Sequence, residues 1–224
     1  MASLPGSKLS SLQLEVLAGF FERERGFFLT GGAALAFHIG HRKTDDLDLF
    51  TTDDQAFERG RFVLADVASA LGGELAVRQD APRFKRFLMT RADEGLVIDI
   101  VRDSSQQLHV DKPERDGIRI DSPDEILANK LTALVGRAEE RDLIDVLFLE
   151  RAGYSVESAL PTAIAKDGGC TPATLAWLLS EIEIPDGIVL PADVTPAELR
   201  SYVAALIVRL RRAALPVFTA TDIS

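Results

Sequence analysis

Sulfur and polar aromatic side chains are scarce in this chain: its 224 residues include one cysteine, two methionines, one tryptophan and two tyrosines. A single thiol, Cys170, excludes an intramolecular disulfide and any multi-cysteine zinc site, and it fits a reducing compartment. Basic charge is also in deficit. Lys and Arg number 25 against 35 Asp and Glu, a formal charge of −10. No global attraction to nucleic acid or anionic membrane therefore operates, and any phosphate must be held by local donors, a cation or a metal. No apolar run approaches the roughly 18–20 residues of a membrane span. The opening Met1-Ala2-Ser3-Leu4-Pro5 lacks the charged and long apolar regions of a signal peptide. Together these absences predict a cytoplasmic protein without membrane association. What is present, 46% hydrophobic and 27% charged residues, is ordinary for a soluble globular chain of one domain, or one domain with a small appendage.

Periodicity divides the chain into two parts. Apolar residues at Leu12, Leu14, Leu17, Phe20 and Phe21 predict a helix over 10–25, followed by a short strand at 27–30. A short helix over 33–39 closes at Gly40, a residue suited to the left-handed cap. Asp46-Leu47-Asp48-Leu49-Phe50 alternates with period two, as a strand with one acidic and one apolar face does. A helix over 54–71 and strands at 74–78, 83–90 and 96–101 follow, with Ala92-Asp93-Glu94-Gly95 as a hairpin turn. Ser122-Pro123-Asp124-Glu125 predicts a helix start with a serine cap, proline at the first position and a glutamate closing a capping box. Helices are expected over 123–135, 139–151, 171–182 and 195–214. The reading is α+β: a mixed-sheet lobe with flanking helices over 1–121 and a helical lobe over 122–224.

Chemistry concentrates where carboxylates repeat. In a strand, Asp46 and Asp48 share a face with Cα atoms about 6.5–7 Å apart. Two carboxylates so placed repel unless a cation sits between them, and hard ions such as Mg²⁺ take carboxylate, phosphate and water oxygens. Asp99 interrupts Val97-Ile98-Asp99-Ile100-Val101, a strand otherwise apolar, where an uncompensated carboxylate is costly. If that strand pairs near the first, Asp46, Asp48 and Asp99 converge as a three-carboxylate metal site. Gly31-Gly32 at a helix start lets backbone approach a partner closely, and a helix N-terminus offers unpaired N–H groups to phosphate.

Other polar residues admit two readings. Lys130 lies in the apolar stripe of Ile126, Leu127, Leu131 and Leu134, where a lysine either snorkels outward or meets an anion; phosphate contact is the favoured expectation. Asp142 and Asp145 share a helix face, and Asp145 is a candidate to orient Lys130 or to contact base, ribose or acceptor; an exposed ion-pair face is the plainer alternative. Arg78, Arg83, Lys85, Arg86 and Arg91, interleaved with Phe84 and Phe87, form a local basic strand pair that could receive RNA, and Arg209, Arg211 and Arg212 a second such patch. His38 and His41 lack a local third ligand, which argues against zinc.

Phe28-Leu29-Thr30-Gly31-Gly32, thirteen residues, then Asp46-Leu47-Asp48-Leu49 resembles the signature of the DNA polymerase β-type nucleotidyltransferases. With His41-Arg42-Lys43-Thr44, Ile98-Asp99-Ile100, Ala128-Asn129-Lys130-Leu131 and Arg141-Asp142-Leu143-Ile144-Asp145, the chain is similar to the AbiEii/AbiGii-type nucleotidyltransferase toxins over roughly 10–150. The resemblance implies a two-lobed fold with the site between the lobes. It implies transfer of a nucleotide from a nucleoside triphosphate, in some relatives to tRNA, and neutralisation by a cognate antitoxin. It assigns two Mg²⁺ ions, with Mn²⁺ as an alternative, to Asp46, Asp48 and Asp99. Nucleotide binding falls to Thr30, Gly31, Gly32, Arg42, Thr44, Lys130 and Asp142, and Asp145 joins the catalytic set. Ala33 stands where relatives often carry a hydroxyl, which leaves Thr30 and Thr44 as the hydroxyls nearby. Transfer to a small molecule or protein, and a silent nucleotide-binding module, are the alternatives.

Overall fold

A computed structural model describes residues 8–137 and 139–215. The chain divides into two compact units, one up to Ile126 and one from Leu127 onward. The first holds a five-stranded sheet. Helix α1 (Ser11–Arg23) is closed by a capping box between Ser10 and Gln13. The Gln13 side-chain amide also donates to the carbonyl of Thr44 at 2.9 Å, which ties α1 to the approach to the acidic strand. Strand β1 (Phe28–Thr30) runs straight into α2 (Gly31–Ile39), which ends at Gly40 in the left-handed conformation, φ 58°. Then come β2 (Asp46–Thr51), α3 (Asp54–Ala70), β3 (Glu74–Ala81), β4 (Phe84–Arg91) and β5 (Glu94–Arg102). The sheet order is β1-β2-β5-β4-β3. Only the β2–β5 pair is parallel, so the sheet is mixed, as the varied connections predict.

Alternation gives the central strands two faces. Leu47, Leu49, Phe87, Met89, Ile98 and Ile100 are buried on one. Helix α3 lies on this side, with Gly60 so close that a Cβ there would stand 3.0 Å from Ile100 Cδ1. Asp46, Asp48, Arg86 and Asp99 occupy the opposite face. The expected hairpin turn is tighter than the sequence indicates. Arg91 pairs with Glu94, so Ala92-Asp93 alone make the turn and Ala92 adopts φ 51°; a two-residue loop with positive φ matches the twist of the flanking strands.

Residues 103–121 carry no periodic signal, yet they are firmly tied down. The hairpin β6 (Glu114–Arg115) and β7 (Ile118–Arg119) leads to a parallel bridge between Ile120 and Leu29. Lys112 is enclosed, with its ammonium 2.7 Å from Asp121, 3.3 Å from Glu125 and 4.4 Å from the Phe28 ring centroid. Burial pushes the Asp121 carboxyl above its ordinary range even with Lys112 beside it. Helix α4 (Pro123–Gly136) begins as predicted, with the Ser122 hydroxyl accepting the Glu125 N–H. The Glu125 carboxylate is engaged elsewhere, accepting the backbone N–H groups of Leu108 and His109 at 2.8 and 3.0 Å.

The second unit is helical among its described residues. It contains the remainder of α4, then α5 (Glu140–Arg151), α6 (Val156–Lys166), α7 (Pro172–Ser180) and α8 (Pro196–Ala213). Ser155, Thr171 and Thr195 cap the last three through their hydroxyls. No described helix is long and apolar enough to cross a membrane.

Candidate active site

Strand register builds the acidic centre. Thr30 stands opposite Asp48, Asp48 opposite Asp99, and Asp99 opposite Arg86, so one row of side chains crosses β1, β2, β5 and β4. Directly paired residues share a face, and Asp46, two residues before Asp48, shares it too. The three predicted aspartates therefore lie on one side of the sheet. Asp99 is deeply enclosed, and both its oxygens are held in a fork by Arg86, at 2.8 Å from Nε and 2.7 Å from Nη2. Asp46 accepts the Thr44 hydroxyl at 2.7 Å.

The glycine pair packs against this centre. Gly31 has φ +65°, and a Cβ there would fall 2.1 Å from Asp48 Oδ2. A Cβ on Gly32 would lie 2.8 Å from the Arg42 guanidinium and 3.3 Å from the Thr44 hydroxyl. What the glycines allow close by is thus Asp48 and Arg42 themselves, at the mouth of α2. The first turn of α2 has no side-chain cap. Thr30, at the capping position, sends its hydroxyl to Asp121 at 2.6 Å instead. Its one proton thus goes to a buried acceptor within the protein. Replacing Gly31 with alanine should push Asp48 out of place and also impose a left-handed alanine, costing about 1–2 kcal/mol for the backbone alone. Thermal unfolding of Gly31→Ala, with its transfer activity, checks this; both should fall.

In the second unit Lys130 meets anions, as its place on an apolar stripe demands. Its ammonium is 2.7 Å from Asp142 and 2.6 Å from Asp145, so Asp145 is positioned to orient it. Asp142 also accepts Arg137 at 2.8 Å and is buried. Both its oxygens therefore hold cations inside the protein. Burial alone would raise the Asp142 carboxyl, but Arg137 and Lys130 outweigh it and hold the group below its ordinary 3.8. A carboxyl lowered by folding stabilises fully above its unfolded value, and the contribution is lost as pH falls through the folded one. As pH falls below about 4, the wild type should lose stability more steeply than Asp142→Asn, measured by urea unfolding.

The predicted basic strip is largely engaged. Lys85 is buried on the α3 face against Phe57 and Asp80, Arg86 holds Asp99, and Arg91 pairs with Glu15 and Glu94. Phe87 is core. Arg209 pairs with Glu150, which also accepts the Tyr202 hydroxyl. His38 donates to the backbone carbonyl of Asp121 at 2.7 Å, a structural employment.

Does the centre fit a metal? Asp46 and Asp48 supply hard oxygens on one face, beside uncapped amides and Arg42, and suit a divalent cation that completes its shell with phosphate and water. Asp99, on the same face, is paired with Arg86. Among the described residues, no three carboxylate, imidazole or thiol groups converge to hold a metal ion.

Comparison with known proteins decides the lineage of this glycine–aspartate constellation. Residues 15–213 match the profile of the nucleotidyl transferase AbiEii toxin, type IV toxin–antitoxin system. The chain belongs to the AbiEii nucleotidyltransferase toxin family. A Helicobacter pylori protein described as a nucleotidyltransferase superposes with TM-score 0.54 at 19% identity, covering 92% of this chain and 96% of its own. JHP933 from Helicobacter pylori gives 0.53 at 20% identity, covering 90% and 91%. The nucleotidyltransferase toxin MenT4 from Mycobacterium tuberculosis gives 0.48 at 15%, covering 92% and 83%. No curated protein sequence matches. AbiEii membership makes this chain a nucleotidyltransferase, and the two Helicobacter structures share its fold.

Proposed function

We propose that this AbiEii-family chain is a divalent-metal-dependent nucleotidyltransferase that moves a nucleoside monophosphate from a nucleoside triphosphate to tRNA. In this reading it serves as the toxin of a pair with a cognate antitoxin. The observation that carries the reading is Asp46 and Asp48 on one sheet face, with Asp48 seated against Gly31 at the uncapped start of α2.

Asp46 and Asp48 would hold Mg²⁺ or Mn²⁺, which when bound neutralises the triphosphate and stabilises departing pyrophosphate. The chain's own groups do the rest. The first amides of α2 point their N–H groups toward a phosphate, and Arg42 adds a cation beside Gly32. Thr44 orients Asp46 through its hydroxyl. Lys130 is held between Asp142 and Asp145 within the helical unit. An acceptor hydroxyl attacks the α-phosphorus in line, its oxygen forming the new P–O bond while the bond to pyrophosphate breaks.

A second reading keeps the chemistry and changes the acceptor to a small molecule or protein. The charge of −10 and the internal pairing of Lys85, Arg86 and Arg91 favour it. Incubation with α-labelled triphosphates, Mg²⁺ and either total tRNA or a tRNA-free extract separates the two. Label in tRNA supports the first reading, and label only in the tRNA-free extract overturns that acceptor.

A further inference from the structure

Asp121 is a buried carboxylate to which no sequence motif points, and it touches helix α2 at both ends. We infer that Asp121 is a positioning residue for nucleotide binding: through Thr30 it fixes the first turn of α2 against Asp48. This rests on the triphosphate reading above and adds a residue to it. Three sets of contacts carry the inference. The first joins Asp121 to the strand that feeds α2. Its backbone N–H donates to the carbonyl of Leu29 at 2.8 Å, and Ile120 before it forms the parallel bridge with the same residue. The second set reaches α2 itself. The Thr30 hydroxyl, at the capping position, donates to Asp121 Oδ2 at 2.6 Å. In the last turn of α2, His38 Nε2 donates to the Asp121 backbone carbonyl at 2.7 Å. The third contact closes the far side, where the Lys112 ammonium lies 2.7 Å from Asp121 Oδ1. Asp121 and Thr30 are both buried. A side chain held from several directions away from water has little freedom to follow a moving helix.

What this anchorage protects is a close fit. Gly31 follows Thr30 directly, and a Cβ there would fall 2.1 Å from Asp48 Oδ2, so the first turn of α2 abuts that carboxylate. Thr30 also stands opposite Asp48 in the β1–β2 ladder. A small displacement of Thr30 therefore moves both the backbone beside Asp48 and the amides offered to phosphate. The direction of the Thr30 hydroxyl matters as well. A threonine at the capping position ordinarily accepts the N–H of the second or third helical residue. Thr30 makes no such bond, and its hydroxyl is turned to Asp121. Asp121 thus occupies the side chain that would otherwise close α2, and it leaves the first-turn amides to a ligand.

The test is calorimetric binding of a non-hydrolysable nucleoside triphosphate with Mg²⁺ to the full chain, with urea unfolding of each variant alongside. Thr30→Val keeps the shape and removes the hydroxyl, and Thr30→Ser restores it. Thr30→Val should bind the analogue about 10–100-fold more weakly, the range for losing an outer-shell partner, and Thr30→Ser should bind as wild type does. Asp121→Leu removes the acceptor while Lys112 keeps Glu125. It should weaken binding to the same extent, and combining it with Thr30→Val should weaken binding no further. Losses that add would mean that Thr30 acts on the nucleotide without Asp121, and would overturn the inference. So would Thr30→Val with a lowered urea midpoint and wild-type affinity, which makes the contact purely structural and leaves the triphosphate reading standing. Should those variants not fold, His38→Leu, which removes the contact at the less enclosed end of α2, decides: weaker binding supports the inference and wild-type affinity overturns it. Wild type without saturable binding would overturn the triphosphate reading, and this inference with it.

Discussion

Asp48→Asn folds with wild-type stability and loses nucleotide transfer by about 10²–10³-fold or more, the scale of removing one preorganised electrostatic group from a reaction centre. The substitution keeps shape and removes charge. Asp48 is a single carboxylate in a row with Thr30, Asp99 and Arg86, and the core face of β2 is untouched by the change. Its packing partner is Gly31, whose missing side chain makes room for either a carboxylate or an amide. The loss should appear in turnover with labelled triphosphate, while the urea midpoint stays within error of wild type. Transfer at the wild-type rate would remove Asp48 from the machinery.

The largest effect on stability is expected at Lys130. Lys130→Ala strips the ammonium from between Asp142 and Asp145, both buried. Breaking a buried pair by removing one partner costs about 3–5 kcal/mol, because the remaining charge has lost its compensation. Urea unfolding of the purified variant measures this. A loss under about 1 kcal/mol, the scale of an exposed ion pair, would mean that the cluster is solvated and that Lys130 contributes little to the fold. Adding Asp145→Asn to Lys130→Ala should recover part of the loss, since one buried carboxylate beside the missing ammonium is then neutral.

Much of the centre was readable in the sequence because its residues break or keep simple periods. The alternation of Asp46 to Phe50 reports a strand with one wet and one dry face, and Leu47 and Leu49 do lie in the core. Asp99 stands out since the residues on either side of it, Val97, Ile98, Ile100 and Val101, are all apolar. The motif spacing and the Lys130 cluster supplied the family, and the profile match over 15–213 agrees with it.

What escaped the sequence depends on register and on long-range closure. A four-residue turn at 92–95 would pair Arg91 with Leu96 and set Asp99 opposite Leu88. The actual two-residue turn shifts the ladder and sets Asp99 opposite Arg86. That shift moves the partner without changing the face, so the acidic side was legible and its arginine was not. Thr30 likewise looked available for phosphate, because Asp121, its hydroxyl's acceptor, lies 91 residues away. Lys112, which completes that buried cluster with Glu125, comes from a segment without periodicity, where only the folded chain reveals which charges meet.

The central claim is that Asp46 and Asp48 bind a divalent ion at the mouth of α2. Crystals grown with Mn²⁺ and a non-hydrolysable nucleoside triphosphate, measured at the manganese absorption edge, address it directly. The account predicts an anomalous peak bonded to oxygens of both Asp46 and Asp48 and to phosphate. Well-ordered nucleotide with no manganese touching either aspartate would contradict it.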